Sequence, residues 1–141
     1  MRFISLTILG FIGMEIFSYL VHRFVFHGVC WRIHQTHHLP KMFYLELNDI
    51  FSVVFALVSI GLMISRSETA FPVGLGIAIY GFVYFLIHDF FTHRRFLPFR
   101  SQNKLLLTIR AAHQRHHQST EKDGLEPFGL FLFDYKRFFR R

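Results

Sequence analysis

HRFVFHGVCWRIHQTHH, residues 22–38, decides the fold of this chain. It sets His22 and His27 in an HxxxxH spacing and His34, His37 and His38 in an HxxHH spacing, directly after an apolar run. The same order recurs downstream as His88 and His93 (HxxxxH), followed by His113, His116 and His117 (HxxHH). All ten histidines of the 141-residue chain fall in these four clusters. Imidazole is the commonest metal-ligating side chain and suits iron, zinc, copper and nickel. Ten such groups are too many for one ion. They complement two ions held close together, with about four or five ligands each. Surface histidines on a helical cap would explain a lone residue, but not ten in a repeated register.

Helical residues advance by about 100°, so positions i, i+3 and i+4 share a face. Each HxxHH triad therefore converges if its segment is helical. The HxxxxH pairs behave differently, because i and i+5 lie about 140° apart on a regular helix. Either a π-bulge brings them together, as at many functional sites, or each histidine serves a different ion.

The apolar residues are concentrated upstream of these clusters. Residues 3–21 carry only Glu15 as an ionisable group, and residues 50–65 and 69–87 carry none. With 52% hydrophobic residues and 20 Phe, the chain has too few polar residues to cover three buried helices of a soluble bundle. A span needs roughly 20 apolar residues. The expected architecture is a single all-α membrane domain over residues 1–141, with about three transmembrane helices and a helical cap carrying the histidines. The first run has no small-x-small cleavage site after it and leads straight into His22, so it reads as a retained anchor. Pro40 should end the first histidine helix, Asn48 or Asp49 should cap the second span, and Pro72 is tolerable in the first turn of the third. Residues 104–118 read as the second histidine helix, and Lys122-Asp123-Gly124 as a turn.

Three alternating spans would leave Arg2 and Arg66 on one side of the bilayer and the other 14 of the 16 basic residues on the opposite side. By the positive-inside rule the basic side is cytoplasmic, and all four histidine clusters land there. This distribution accounts for the net charge of +7 without nucleic acid. Cys30 is the single cysteine, so no intrachain disulfide forms. The tail from residue 128 to 141 mixes Phe and Leu with Lys136, Arg137, Arg140 and Arg141, the pattern of a segment lying in the lipid interface. Three carboxylates are candidates to accept the second N–H of a ligating imidazole. Glu15 is costly inside a span and is therefore a functional candidate; Asp49 and Asp89 stand beside span ends.

The four-cluster pattern resembles that of the fatty acid hydroxylase and sterol desaturase superfamily. The stretches Ile12-Gly13-Met14-Glu15, residues 22–28 and 48–56, and Tyr80-Gly81 running to His88-Asp89 resemble the bacterial β-carotene hydroxylases more closely. So do Ala112-His113 with Arg115-His116-His117, and Lys122-Asp123-Gly124 with Phe128-Gly129. Two features depart from the family pattern: Leu39 stands where an acidic residue is expected, and the C-terminus is short.

The resemblance implies two iron ions held by the ten histidines, with zinc as a possible substitute, and O2 as co-substrate. It further implies 3-hydroxylation of the β-ionone rings of β-carotene, giving β-cryptoxanthin and then zeaxanthin. Nothing in the chain resembles a nicotinamide- or flavin-binding motif. A ferredoxin-like donor docking on the basic cytosolic face is therefore expected. The implied setting is the bacterial cytoplasmic membrane, with the carotenoid arriving from the bilayer and Tyr80, Phe82, Tyr84 and Phe85 as candidate tunnel walls, although lipid-facing packing is the commoner role of such residues. A lipid hydroxylase or desaturase would keep the metal and change the substrate. A membrane metal carrier would place ligands along a pathway across the bilayer, and a zinc hydrolase would need a general base that no HExxH supplies.

Overall fold

The protein is described by a computed structural model covering residues 1–39 and 45–139. Pro40 and the tail residues Arg140 and Arg141 lie outside the described residues. Among the described residues six α-helices follow in order: α1 (Arg2–Val21), α2 (Trp31–His38), α3 (Asp49–Ile64), α4 (Ala70–Tyr84), α5 (Lys104–His116) and the short α6 (Tyr135–Phe138). No strand occurs among the described residues. Two segments are π-helical and continue α1 and α4 without a break, at His22–Val29 and Phe85–Thr92.

With these extensions, Arg2–Val29 and Ala70–Thr92 are long and apolar enough to cross a membrane, and α3 is a shorter apolar helix of 16 residues. Large apolar side chains face outward along all three, among them Ile8, Ile12, Phe17, Val53, Leu57, Ile79 and Phe82. The interior, by contrast, is rich in histidine, carboxylate and hydroxyl groups. Water would penalise so much contiguous apolar surface, whereas lipid does not. This is the inside-out distribution of a membrane protein.

Helix α4 packs on both α1 and α3. The α1–α4 contact is set by two glycines. A Cβ on Gly76 would run into the Thr7 carbonyl oxygen, and one on Gly10 into the Val73 carbonyl oxygen. Small residues at such a crossing let backbones approach closely, which supplies van der Waals packing where no hydrophobic driving force separates helix from lipid. At the α3–α4 contact, buried Ser59 donates from Oγ to the Gly74 carbonyl oxygen (2.8 Å). Helices α1 and α4 run in the same direction, since Phe3 and Phe71 meet at their N-terminal ends (6.3 Å between ring centroids) and both C-terminal ends reach the histidines. Helix α3 runs antiparallel to both and packs on α4, from Asn48 beside His34 to Met63 and Ile64 beside Phe3 and Phe71.

Three local expectations change. Asn48 precedes α3, but its side chain makes no cap and binds His34 instead. Asp49 is committed to Arg95. The tail does not lie wholly in an interface. Phe128, Gly129 and Leu130 are buried, and Glu15 of α1 accepts hydrogen bonds from the backbone N–H groups of Phe131 (2.7 Å) and Leu132 (2.8 Å). The Phe131 ring lies 6.3 Å from that of Phe11, four residues further into α1. The intramembrane carboxylate thus satisfies irregular backbone that would otherwise be stranded away from water.

The glycine contacts give a direct test. Gly76→Ala should destabilise the protein by about 1–3 kcal/mol through overpacking. Gly13→Ala, where an added Cβ meets nothing within 4 Å, should be neutral or stabilising by up to about 1 kcal/mol. Thermal melts in detergent should show this opposite ordering.

Candidate metal centre

The two HxxxxH pairs lie at the C-terminal ends of the two long helices, where the backbone is π-helical up to Val29 in one and up to Thr92, just before His93, in the other. The His93 N–H bonds to the His88 carbonyl oxygen (2.8 Å), five residues back, and the Cys30 N–H to that of Val25 (2.9 Å). Residues i and i+5 therefore stand one above the other, and the rings of His22 and His27 (5.2 Å) and of His88 and His93 (4.5 Å) are neighbours. Of the two readings left open by the spacing, the structure adopts the π-helical one.

The HxxHH triads do not converge as units. His34 and His38 turn toward one group, completed by His22, His27 and His116. His37 joins the other, with His93, His113 and His117. In both triads the i and i+4 members stay together and the i+3 member crosses over. His88 adjoins the second group, with its Nε2 at 3.2 Å from that of His37. All ten sequence-selected histidines are thus gathered in two adjacent clusters, and all but the half-buried His22, His93 and His117 are buried.

The protonation state of each ring follows from its outer partner. A carbonyl oxygen only accepts, so an imidazole nitrogen facing one carries the hydrogen. His22 Nδ1 donates to the Phe128 carbonyl oxygen (2.7 Å), His27 Nδ1 to that of Lys122 (2.8 Å), His38 Nδ1 to that of Ser119 (2.9 Å) and His116 Nδ1 to that of Leu125 (2.6 Å). His34 Nδ1 donates to Asn48 Oδ1 (2.7 Å). The five Nε2 atoms are left as lone pairs, yet they face one another: His22 to His34 at 2.9 Å, and His34 to His38 and His27 to His116 at 3.2 Å. Such an arrangement is repulsive unless a proton or a cation lies between. Protons are disfavoured, because burial drives the imidazole pKa down, to about 2 at His34, about 4 at His38 and about 3 at His116. A metal cation fits instead. With bonds of about 2.0–2.1 Å, adjacent ligands of one ion stand roughly 3 Å apart.

The second group tells the same story with a different outer layer. His37 Nδ1 donates to Glu46 Oε2 (2.8 Å), and His88 Nδ1 lies 3.4 Å from Asp89 Oδ2. Arg95, 4% exposed, gathers the carboxylates: it donates to Asp89 Oδ1 (2.7 Å) and to both oxygens of Asp49 (2.9 and 2.6 Å), and lies 3.9 Å from Glu46 Oε2. His117 Nε2 is buried without a hydrogen-bond partner among the described residues. An orphan of this kind costs about 1–3 kcal/mol unless it is a ligand.

Of the three carboxylates singled out from sequence, only Asp89 faces an imidazole. Asp49 acts through Arg95. Glu15 accepts from Tyr80 Oη (2.7 Å) and the tail backbone, because its height in α1 matches the tail and not the rings. Glu46, Asn48, Arg95 and the four backbone carbonyls were missed. Their sequence neighbourhoods carry no periodic signal, and carbonyl acceptors have no sequence signature at all. The turn at Lys122-Asp123-Gly124 is the partial exception. Gly124 has φ +60°, and a Cβ there would stand 2.7 Å from His27 Cε1, so glycine lets the turn close on the ring that Lys122 orients.

Beneath the rings lies an apolar cavity of about 400 Å³, bounded by α1, α3 and α4. Tyr80, Phe82, Tyr84 and Phe85 all line it, as do His22, His34, His37 and His88 at its inner end. The tail contributes Phe128 and Leu130. Tyr80 is fixed by Glu15 and by Ser18 (2.8 Å), and the Tyr84 ring stacks on His88 (4.4 Å). Phe82 and Phe85 are exposed, so this wall reaches the lipid-facing surface.

The depressed histidine pKa values have a consequence for the metal-free chain. Unfolded imidazoles take up protons below about pH 6.5, while the buried ones resist until about pH 4 or lower. Stability is therefore complete above pH 6.5 and lost as pH falls through that window. Chelator-treated protein in detergent should melt at a lower temperature at pH 5 than at pH 7.5, and equal melting temperatures would contradict burial of neutral rings.

A family model described as fatty acid hydroxylase matches residues 7–140. The chain is 38% identical over 130 residues to the β-carotene hydroxylase of Pseudescherichia vulneris, covering 89% of this chain and 73% of that protein. It is 39% identical over 127 residues to the β-carotene hydroxylase of Pantoea ananas, covering 86% and 71%. The chloroplastic β-carotene 3-hydroxylase 2 of Arabidopsis thaliana is 35% identical over 136 residues, which span 91% of this chain and 44% of that longer protein. No solved structure matches the chain. The chain belongs to the fatty acid hydroxylase family, in the branch that holds the β-carotene hydroxylases.

Proposed function

We propose that this protein is a membrane di-iron monooxygenase that hydroxylates the β-ionone rings of β-carotene at the 3-position, giving β-cryptoxanthin and then zeaxanthin. The observation that carries the reading is the juxtaposition of two histidine clusters, with lone pairs turned inward, and an apolar cavity that reaches the lipid-facing surface. The names of the curated relatives supply the substrate.

The balanced reaction consumes R–H, O2, two electrons and two protons and yields R–OH and water. Two iron ions bound by the histidine groups would supply the O2 chemistry needed to oxidise an unactivated C–H bond. The chain supplies position. Phe82 and Phe85 offer an apolar route from lipid, Tyr80 and Tyr84 bound the path to the rings, and Phe128 and Leu130 close the side formed by the tail. A volume of about 400 Å³ suits one end ring of a long polyene, with the remainder trailing into the bilayer. The two identical ends of the substrate would then be taken in turn.

Electrons come from outside the chain. Arg94, Arg100, Lys104 and Lys122 are exposed around the histidine end, a surface that suits an acidic ferredoxin-like donor. The direction of the helices supports three crossings. Since α1 and α4 run in parallel, α3 must return the chain over the same thickness, and its 16 residues cover about 24 Å. The division of basic residues supports a cytosolic side for the histidine end, in the bacterial cytoplasmic membrane.

Topology is read with reporters: one after residue 139 should be cytosolic and one in the 65–69 turn should be on the opposite side. Both on one side would refute three crossings. The substrate is tested by expression in a bacterium that already makes β-carotene, with pigment chromatography in air and without oxygen. Oxygen-dependent zeaxanthin, matched by two irons per chain, is the expected result. His34→Ala and His113→Ala should each abolish it while leaving the protein in the membrane. Unchanged carotene beside hydroxylated or desaturated fatty acids would reassign the substrate, and bound metal without any product would point to a carrier.

A further inference from the structure

The two histidine groups are oriented by chemically different outer layers. In the first, every orienting acceptor is neutral: the carbonyl oxygens of Phe128, Lys122, Ser119 and Leu125 and the amide of Asn48. In the second, His37 donates to Glu46 and His88 faces Asp89. A third carboxylate, Asp49, joins them through Arg95, so three carboxylates share one guanidinium. With these groups ionised, the cluster carries net negative charge against the second group, and this is not a property of the ligands themselves.

An imidazole that donates to a carboxylate is a more basic, more electron-rich ligand than one that donates to a carbonyl. A nearby buried anion also favours a cation by Coulomb attraction, which weakens less in the interior than in water. Both effects act in the same direction. We infer that Glu46, braced by Arg95 together with Asp49 and Asp89, makes the second histidine group the tighter of two unequal metal positions. The inference rests on the two-ion reading proposed above. Glu46 is a positioning residue here: it acts on the ion through His37. The first ion taken up by the metal-free chain occupies the group of His37, His88, His93, His113 and His117, and the second fills the group oriented by carbonyls.

The test is titration of metal-free full-length protein in detergent with Co2+ against a competing chelator, followed by its visible absorption and by metal analysis. The wild type should take up two Co2+ in two resolved steps. Glu46→Gln should weaken the tighter step about 10–100-fold, the usual effect of removing such an outer partner, and leave the looser step in place. Glu46→Asp should restore part of the loss. Asn48→Ala, which removes the acceptor of His34, should weaken only the looser step. Persistence of one unaltered step, with an unchanged circular dichroism spectrum, separates these effects from misfolding. Two equal steps in the wild type, or loss of the looser step in Glu46→Gln, would overturn the asymmetry while leaving two ions intact. Uptake of a single ion by the wild type would overturn the two-ion reading itself, and the asymmetry with it.

Discussion

An imidazole has two nitrogens, and fixing a hydrogen on one of them fixes a lone pair on the other. The centre of this protein is built on that coupling. Outer acceptors hold Nδ1 of His22, His27, His34, His37, His38 and His116, and each bond aims an Nε2 lone pair at its neighbours. The result is a concentration of negative potential in a buried space where protons are penalised by desolvation. The surrounding fold supports this arrangement. Loop 119–125 presents three of the carbonyls, the start of the tail presents the fourth, and the Gly124 turn sets the distance to His27.

Delivering the rings to one place imposes a second constraint, this time on the backbone. A regular α-helix turns residues i and i+5 apart, while the π-helical ends of the two long helices bring them into register. The change costs nothing in hydrogen bonding at a depth where water is scarce, because the i to i+5 bonds are made. Glu15 resolves a similar problem lower in the membrane. Its carboxylate is expensive to bury, but it accepts from Tyr80 and from two tail N–H groups that no helix would otherwise satisfy. The cavity wall and the irregular tail are thereby joined at one side chain.

These details mark where sequence reasoning succeeded and where it stopped. The ten histidines and the apolar helices are legible because side-chain type and spacing report clustering and periodicity; Tyr80, Phe82, Tyr84 and Phe85 line the cavity, with Phe82 and Phe85 also exposed. The choice of π geometry was not, since HxxxxH is compatible with shared or separate ions until the backbone is known. Nor was the exchange of His37 and His116 between groups, which depends on how α2 and α5 oppose each other. The role of Glu46 and Arg95 is hidden for a related reason: nothing in their spacing marks them, and only the packing brings Arg95 across about 50 residues of chain to Glu46 and Asp49. Glu15 stands out in the sequence as a carboxylate within an apolar span, but its partners do not, because a helical wheel places it on the face of His22 and says nothing about the tail that covers that face.

The exchange within the HxxHH triads has a structural corollary. Helix α2 supplies His34 and His38 to one group and His37 to the other, while α5 supplies His116 to the first and His113 and His117 to the second. Neither group belongs to one element, so a rigid shift of either helix alters both together. The layer outside the ligands is not shared in this way. Backbone carbonyls of the 119–125 loop and the tail serve the first group, and the Glu46–Arg95–Asp89 cluster serves the second. The two groups, made from one residue type and sharing α2 and α5, thus differ in what each ring touches on its far side.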